Sequence, residues 1–262
     1  MKRIIDSNHF FSMERVIFPT EAIIDSKCSI IRYTRSFRPN IINKRNLIND
    51  ISYTLVSDLT YNEDEILNAF SATTRRHIRK ANDLNIKYQI YSSKEILENM
   101  DLIKEFKKAF YSFCDSSNQP KLKKIYDEKL LLTYAKNDCI YFSKATAVNG
   151  TIYHIYITDG ECAVIWYTIS DYREEKVDAA LLSYANKLTH YKDMIYFKSL
   201  GYKKYDWGNV SSKNNENQNG IDRFKTMFNG EYMETYSYTV GNSVLGEIMV
   251  FAKKILDKLQ KR

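Results

Sequence analysis

The feature of this sequence that most constrains its fold is a series of three strand-like segments between residues 140 and 169. They are rich in Ile, Val, Tyr and Thr and comprise residues 140–148, 151–158 and 161–169. The dipeptides Asn149-Gly150 and Asp159-Gly160 separate them. Both positions of a two-residue type I′ hairpin loop need positive φ, which Asn, Asp and Gly tolerate. The pattern predicts a three-stranded antiparallel meander with these dipeptides as its turns.

A long helix is predicted directly after the meander. Apolar side chains recur there at steps of three and four residues, which places them on one side of a helix. They are Val177, Leu181, Tyr184, Leu188, Tyr191 and Ile195. Gly201 ends the pattern, so we expect a helix from about 177 to 200 that packs on the meander. The patterns that follow predict a strand at 202–207, a short helix at 221–228, a strand at 231–240 and a helix at 243–260.

The glycines divide the chain into two halves. All eight glycines lie from Gly150 onward, so the first half lacks the commonest tight-turn residue. In this half the patterns predict strands at 30–34, 51–56 and 86–91, and helices at 63–84 and 94–114. They break at 116–120, and a helical stretch follows at 121–136. We therefore expect two domains, 1–120 and 121–262.

The charge balance favours a phosphorylated ligand. The 39 Lys and Arg residues exceed the 32 Asp and Glu residues by 7, which suits coenzyme A, nucleotide sugars or RNA without choosing among them. The four histidines lack metal-ligand spacing, and the chain has no Gly-x-Ser-x-Gly, Walker or Rossmann glycine pattern. We therefore expect no metal and no dinucleotide cofactor.

Cysteine usage and hydropathy indicate a cytoplasmic location. The four cysteines, Cys28, Cys114, Cys139 and Cys162, are far apart in sequence, so we expect reduced, buried thiols. The N-terminus reads Met-Lys-Arg-Ile-Ile-Asp-Ser-Asn and meets charge too soon for a signal peptide, and the longest apolar run, 162–167, is too short to cross a bilayer. We expect a cytoplasmic protein without a transmembrane segment. The sequence does not determine its oligomeric state.

Three segments resemble the Fem-like branch of the GNAT superfamily, which includes peptidoglycan aminoacyltransferases and sugar-modifying N-acyltransferases. Residues 183–194 and 197–208 resemble the family's long-helix motif and its continuation. Residues 220–230, Gly-Ile-Asp-Arg-Phe-Lys-Thr-Met-Phe-Asn-Gly, resemble its Gly-x-x-x-Phe-Lys-x-x-Phe-Gly-Gly signature, with Asn229 in place of a glycine. The basic segment 75–81 resembles a helix that precedes a strand of the family's N-terminal lobe.

The order of the predicted elements is similar to that of the same superfamily. Meander, helix, strand, helix and strand is the order of the acyl-CoA N-acyltransferase core. The resemblance implies an α+β, GNAT-like fold in which helices flank a mixed sheet that contains the meander. It also implies two lobes, a degenerate N-terminal lobe over 1–120 and a catalytic C-terminal lobe over 121–262.

The segment 172–176 departs from the family pattern. The resemblance implies a coenzyme A loop of the form Arg or Gln-x-x-Gly-x-Gly or Ala, yet this chain has Tyr-Arg-Glu-Glu-Lys there. A pyrophosphate is still compatible with the N–H groups at the start of the next helix, where the dipole favours anions. We expect acyl-CoA as co-substrate, with Arg173 and Lys176 as contacts.

The resemblance and the residue chemistry nominate three catalytic residues. His190 on the long helix suits a general base for an amine, with Asp193 as a nearby carboxylate, or else only fixes the helix. Asp206 closes a strand, where it orients the amine or His190, or else accepts N–H bonds in the next turn. Lys225 is expected to meet phosphate or the developing oxyanion.

Further residues are expected to bind substrate. They are Asn186 and Asp193, which share an arc of the helix with His190, and the arginines Arg75, Arg76 and Arg79. The arginine face suits a nucleotide diphosphate or a tRNA backbone, or is simply solvated. The helix at 243–260 has an apolar side that we expect to pack on the sheet, with an anionic membrane as the alternative.

Three functions remain open from the sequence. The first is transfer of an acyl group from a thioester, expected to be acyl-CoA, to the amine of a nucleotide- or lipid-linked amino sugar in cell-surface polysaccharide synthesis. The second uses aminoacyl-tRNA and a peptidoglycan precursor. The third is a non-catalytic RNA- or partner-binding protein on the same fold, a hypothesis based on the missing glycines of the donor loop. In the first two, the amine attacks the carbonyl directly.

Overall fold

The computed structural model describes residues 1–7, 12–23, 25–44, 47–171, 173, 176–212 and 220–260. Backbone contacts divide the chain into two compact units. Unit 1 comprises Met1–Thr54, Asn209–Asn215 and Tyr232–Arg262, and unit 2 comprises Leu55–Gly208 and Glu216–Glu231.

Unit 1 consists of a sheet and a long helix. Its elements are β1 (Lys2–Ser7), β2 (Ser12–Ile17), β3 (Ile30–Ser36), the first part of β4 (Leu47–Asp58), β10 (Glu231–Gly241) and α8 (Val244–Gln260). The strand order is β1-β2-β3-β10-β4, with β2 and β3 parallel. Val16, Ile31, Tyr33, Tyr238 and Val240 lie in its core. The sequence patterns predicted β3 and part of β4 but not β1 and β2.

Unit 2 contains the predicted meander and the other helices. Its helices are α1 (Glu63–Ala69), α2 (Ala72–Asn82), α3 (Ser93–Glu98), α4 (Met100–Ser116), α5 (Glu128–Lys136), α6 (Ala179–Ser199) and α7 (Gly220–Thr226), with a 3₁₀ helix at Pro120–Ile125. Its strands are the end of β4, β5 (Lys87–Tyr91), β6 (Ile140–Ala147), β7 (Gly150–Thr158), β8 (Cys162–Ser170) and most of β9 (Lys204–Val210). Their order is β4-β9-β8-β7-β6-β5, with β8 and β9 parallel.

Helices cover both faces of the unit 2 sheet, because side chains alternate along a strand. Tyr153 of β7 packs against Phe106 of α4, with ring centroids 5.8 Å apart. The next residue, His154, points to the other face and contacts Asp193 of α6. This arrangement confirms the expected α+β class with a mixed sheet.

The antiparallel meander is confirmed, but its first turn lies one residue earlier than predicted. Val148 and Asn149 have positive φ, and Gly150 is already the first residue of β7, paired with Ala147. A Cβ on Gly150 would lie 2.9 Å from a methyl group of Leu182 on α6. Glycine here allows close packing of Leu182 against β7, and the positive φ angles of the turn lie at Val148 and Asn149.

The second turn of the meander is longer than predicted. It spans Asp159 to Glu161, and within it Gly160 has positive φ while Asp159 does not. The Asp159 carboxylate instead accepts the N–H groups of Glu161 and Cys162. An Asx turn replaces the predicted type I′ turn.

Two predicted helices are each divided in two. The segment 63–84 forms α1 and α2, because the Ser71 side chain accepts the Thr74 N–H and starts a new helix. The segment 94–114 forms α3 and α4, which meet at Asn99. In both cases a short polar residue ends one helix within a continuous amphipathic pattern.

Helix α6 confirms the predicted long helix, but its most buried side is not the predicted one. Of the six predicted stripe residues, Leu188 is fully buried and the others are half-buried. The buried set also contains polar residues: Leu182, Ala185, Lys187, Leu188, Thr189, His190, Asp193, Met194 and Phe197. The stripe side packs partly on α2, where Tyr184 lies 4.1 Å from His77. Polar side chains of α6 therefore face the sheet.

The predicted boundary near residue 120 lies inside unit 2, between α4 and α5. Unit 1 instead combines the two ends of the chain, which sequence order alone cannot reveal. The division into a degenerate and a catalytic lobe stays a prediction. The four cysteines are buried thiols. Within the described residues no helix has the length and apolar character needed to span a bilayer.

Candidate active site

Helix α6 places three polar side chains against the unit 2 sheet. Asn186, His190 and Asp193 follow one another at steps of four and three residues, so they share one side of the helix. That side meets His154 of β7 and Tyr205 of β9. The predicted arc of polar residues is therefore real, and it lies at the sheet.

Asp193 is the centre of a buried hydrogen-bond network. Its Oδ1 accepts from the Tyr88 hydroxyl at 2.8 Å, and its Oδ2 accepts from the Tyr156 hydroxyl at 2.6 Å and from His154 Nδ1 at 2.7 Å. His154 Nε2 lies 2.8 Å from Asn186 Oδ1. Three donors compensate the carboxylate for its lost hydration. Asp193 thus contacts only the protein interior within the described structure, whereas Asn186 is half-buried and its expected contact with substrate stays a prediction.

Two tyrosine hydroxyls join Asp193 to His190. Because Tyr156 gives its single proton to Asp193, the Tyr205 hydroxyl donates to Tyr156, at 2.8 Å. The Tyr205 oxygen then accepts from His190 Nδ1, also at 2.8 Å. Burial and the Asp193 charge raise the pKa of both phenols well above the usual value, so both keep their protons. His190 is therefore the Nδ1–H tautomer with a lone pair on Nε2.

His190 is neutral and enclosed. Burial lowers the pKa of His190 well below its usual value, and the neighbouring His154, Lys225 and Lys187 charges lower it further. Its ring stacks on His154 with centroids 3.9 Å apart. Nε2 has no hydrogen-bond partner among the described residues, and the residue is 1% exposed. The site therefore holds a basic lone pair closed off from solvent.

Lys187 is a second buried polar group beside His190. Its ammonium donates to Ser183 Oγ at 3.0 Å and lies 5.3 Å from the centre of the Phe224 ring. Lys187 is 5% exposed, and burial lowers its pKa. The pKa of His77 is lowered by burial and next by the Lys187 charge. Lys187 therefore adds positive charge between two imidazoles.

Lys225 lies near His190, as the sequence predicted. Its charge contributes to the lowered pKa of His190, and its Nζ lies close to Gly208 at the end of β9. Gly208 has φ 70°, and a Cβ there would lie 2.9 Å from the Ile165 carbonyl oxygen. Glycine thus allows β9 to approach the Ile165 carbonyl closely, and Lys225 lies beside this point without crowding it.

Asp206 lies on the opposite face of the sheet from His190. Its neighbours on β9, Tyr205 and Trp207, both contact the His190 ring, so alternation directs Asp206 to the other side. Asp206 is fully buried, and its Oδ1 accepts the Gly208 N–H at 2.8 Å. The expected convergence of Asp206 with the other two catalytic candidates is corrected, and its bond to the Gly208 N–H lies within β9, not in a following turn.

The three arginines of α2 do not act together. Arg75 donates to the Asn68 and Phe70 carbonyl oxygens at the end of α1, so it holds the junction of α1 and α2. A pocket of about 460 Å³ is lined by Ala72, Thr73, Arg76, Arg79 and Lys80. Of the three arginines, Arg76 and Arg79 line this pocket and Arg75 does not, and their expected role in binding stays a prediction.

The expected coenzyme A contacts are less favourable than the sequence implied. Arg173 and Lys176 are exposed, and Arg173 lies 5.8 Å from the Phe113 ring centre. Residues 172, 174 and 175 lie outside the described residues. At the start of α6 the Asp178 carboxylate already accepts two backbone N–H groups. A pyrophosphate there would meet a negative charge instead of the predicted donors.

A cluster of metal-ligand type lies in the same network. Ligand atoms of His154, His190 and Asp193 lie within 4.8 Å of one another in the described structure. Hydrogen bonds to one another and to Tyr156 engage His154 Nδ1 and Asp193 Oδ2. These bonds account for the cluster as a hydrogen-bonded one. The expectation of metal-independent chemistry stays a prediction.

Five residues in or beside the network were missed from the sequence: Tyr88, His154, Tyr156, Lys187 and Tyr205. The sequence did indicate His154, because it is the one basic side chain in an otherwise largely apolar and aromatic strand segment, 150–158. It also indicated Lys187, because this residue follows Asn186 on a side of the helix that the sheet covers. It did not indicate the three tyrosines, since strands use Tyr for ordinary packing.

Comparison with known proteins gives matches among solved structures. No family model matches the chain, and no curated protein matches its sequence. The C-terminal domain of a protein described as a lysylphosphatidylglycerol synthetase from Agrobacterium fabrum is 10% identical, with a TM-score of 0.52, covering 87% of this chain and 72% of that one. FemX is 11% identical, with a TM-score of 0.45 and coverage of 89% and 83%. L-PGS from Bacillus licheniformis is 10% identical, with a TM-score of 0.44 and coverage of 86% and 72%.

The chain shares the fold of the domain from Agrobacterium fabrum, an α+β fold with a mixed sheet flanked by helices. The fold class expected from the resemblance is thereby confirmed. At these identities the likeness establishes the fold alone, and the activity has to be argued from the site.

Proposed function

We propose that this chain transfers an acyl or aminoacyl group to an amine, with His190 Nε2 as the base that removes the amine proton. The observation that supports this most is the bare Nε2 of neutral His190, whose other nitrogen is bonded to the Tyr205, Tyr156 and Asp193 chain. An amine that attacks a carbonyl must lose a proton, and a positioned imidazole removes it efficiently.

The network supplies a path for that proton. The amine nitrogen bonds to the donor carbonyl carbon, and the bond from this carbon to the leaving thiol or hydroxyl group breaks. The amine proton moves to His190 Nε2, while protons shift from Nδ1 to Tyr205, from Tyr205 to Tyr156 and from Tyr156 to Asp193. His190 thus passes between neutral tautomers and avoids a buried imidazolium. The reverse shifts return the proton to the leaving group.

Lys225 supplies the positive charge near the reacting carbonyl. A cation beside a developing oxyanion lowers the barrier most where water is excluded. Because His190 is 1% exposed, a side chain that packs on it has to move before the substrate amine reaches Nε2, and we propose the half-buried Phe224 of α7, whose ring centroid lies 5.5 Å from that of His190. The proposal therefore includes a movement of α7.

The donor that we propose first is acyl-CoA, and the acceptor is a nucleotide- or lipid-linked amino sugar of cell-surface polysaccharide synthesis. Both come from the sequence resemblance. Because Asp178 holds the N–H groups at the start of α6, we place the donor phosphates in the pocket with Arg76 and Arg79, whose guanidinium groups match phosphate geometry.

Aminoacyl-tRNA with a peptidoglycan precursor is the second candidate. The same two observations favour it, since Asp178 disfavours a pyrophosphate at α6 and a cationic pocket on an exposed helix suits an RNA backbone.

Turnover assays distinguish the two candidates. Purified protein is incubated with short acyl-CoA thioesters and amino sugars, scored by thiol release, and separately with charged tRNA, scored by loss of the aminoacyl ester. We expect folded His190→Ala protein to lose about 10²–10⁴-fold in turnover. Arg76→Glu with Arg79→Glu should raise the donor KM in a salt-dependent way. Full turnover in folded His190→Ala protein would contradict the base assignment.

The tautomer of His190 can be tested without a substrate. In ¹⁵N-histidine NMR spectra we expect Nδ1 protonated and Nε2 bare at neutral pH. Tyr205→Phe removes the acceptor of the Nδ1 proton and should shift His190 toward the Nε2–H tautomer. An Nε2–H tautomer in the unaltered protein would show that the donor order of the network is wrong, whatever the activity.

A further inference from the structure

Helix α8 presents its apolar side to solvent. Along the sequence, eight apolar residues fall within an arc of about 140° at 100° per residue: Val244, Leu245, Ile248, Phe251, Ala252, Ile255, Leu256 and Leu259. The large side chains of this arc, from Val244 to Leu259, are 44% to 80% exposed. We call this arc the α8 apolar face.

The side of α8 opposite to this face packs against the rest of unit 1. A Cβ on Gly246 would lie 1.9 Å from the Ser29 carbonyl oxygen, and Val250 is 2% exposed. Helices of globular domains ordinarily turn the apolar side inward. Here the contact with unit 1 fixes the reverse orientation, so the exposure of the α8 apolar face follows from close packing at Gly246.

The charges beside this face match an anionic surface. From residue 253 onward the sequence has five basic residues, Lys253, Lys254, Lys258, Lys261 and Arg262, and one acidic residue, Asp257. Helical spacing puts Lys253 and Lys254 on the two flanks of the apolar arc, each about 60° beyond its edge, and the Lys253 ammonium lies 3.7 Å from the Asp257 carboxylate. Long lysine side chains can extend past an apolar surface to reach lipid phosphates.

The area of the α8 apolar face is smaller than a stable interface with a second copy of this chain requires. A helix of 17 residues is about 25 Å long and about 10 Å wide, so two such helices would bury roughly 500 Å² in total. Stable specific interfaces bury about 1,200–2,000 Å². Binding to a bilayer does not require this minimum area, because the whole apolar arc can enter the boundary between the headgroups and the acyl chains.

We propose that α8 binds the surface of an anionic membrane, with the α8 apolar face in the lipid and its lysines at the headgroups. The helix would lie in the plane of the interface, since its apolar arc runs along its length and does not encircle it. This inference is independent of the proposed chemistry in unit 2.

Vesicle co-sedimentation tests it. The probes are vesicles of phosphatidylcholine with about one third phosphatidylglycerol, and vesicles of phosphatidylcholine alone. We expect the protein to bind the anionic vesicles, more weakly at high salt. Ile248→Glu with Phe251→Glu should reduce the partition coefficient at least about tenfold. Ile125→Glu is the matched control, because Ile125 is 59% exposed in unit 2 and Ile248 is 60% exposed.

Light scattering and circular dichroism complete the experiment. The double variant should keep its helical signal and melting temperature, since both side chains are exposed. Equal vesicle binding by the double variant and the unaltered protein would overturn the proposal. So would a failure of the unaltered protein to bind anionic vesicles. A lipid-free dimer that the double variant dissociates would assign the face to a second copy instead.

Discussion

Helices α6 and α8 reverse the usual amphipathic arrangement in opposite ways. Helix α6 buries Lys187, His190 and Asp193 against a sheet, whereas α8 exposes apolar residues such as Ile248 and Phe251 to solvent. Each reversal carries a free-energy cost, from desolvated polar groups in α6 and hydrated apolar surface in α8. Polar groups inside indicate chemistry, and apolar groups outside indicate association. Hydropathy along the sequence does not distinguish these two kinds of site. The burial of each side chain does.

The largest expected effect lies in α6. Asp193→Ala removes an acceptor shared by Tyr88, Tyr156 and His154, leaving three buried donors without it. Breaking such a network costs about 3–5 kcal/mol in the free energy of unfolding. Denaturant unfolding measures it, with the exposed Asp101→Ala as the control, expected within about 0.5 kcal/mol. A small loss for Asp193→Ala would mean that the polar side of α6 is solvated.

The pH dependence of stability sharpens the same comparison. The pKa of His190 is lowered in the folded protein, so the unfolded chain binds the proton more tightly. Stability is then highest above the unfolded pKa of about 6.5 and falls with pH below it, by at most about 1.4 kcal/mol per pH unit for this group. His190→Gln should flatten the melting-temperature profile below that pH. An unchanged profile would show that other groups cause the loss.

Replacing Lys187 should raise the stability of the protein and lower its activity. Lys187→Met removes a buried ammonium while keeping the volume, which should raise the free energy of unfolding by about 1 kcal/mol. Turnover should fall at the same time if Lys187 contacts the substrate. The control is Lys192→Met on the same helix, because the Lys192 side chain is only half-buried. A destabilised Lys187→Met protein would instead give the ammonium a structural role.

The smallest effect is expected on α8. Leu256 is 57% exposed, so Leu256→Gln should change the free energy of unfolding by less than about 0.5 kcal/mol. Val250, 2% exposed on the same helix, should cost about 1–3 kcal/mol as Val250→Ala. Chemical denaturation of both variants measures the difference. Equal losses would mean that the α8 apolar face is covered by protein.

The part of the fold that depends on local pattern was predictable. Strand-type residues between 140 and 169 and helical spacing after 177 determined the meander and α6, because each depends on residues close in sequence. The turn at Val148-Asn149 was misplaced by one residue, because a β-branched residue such as Val148 seldom adopts the positive φ that it has here. The break at Ser71 was missed because a capping residue also fits within a helical pattern.

The sequence by itself determined the order of elements from the meander onward, the fold class and the candidacy of His190 and Lys225. Only the tertiary structure decided which groups meet. It separated Asp206 from His190 through strand alternation, assigned Arg75 to the α1 carbonyls, and joined His190 to Asp193 through two tyrosines. It also turned the apolar side of α8 outward. The physical reason is that periodicity tells which residues share a side of an element, whereas burial depends on what packs against that side.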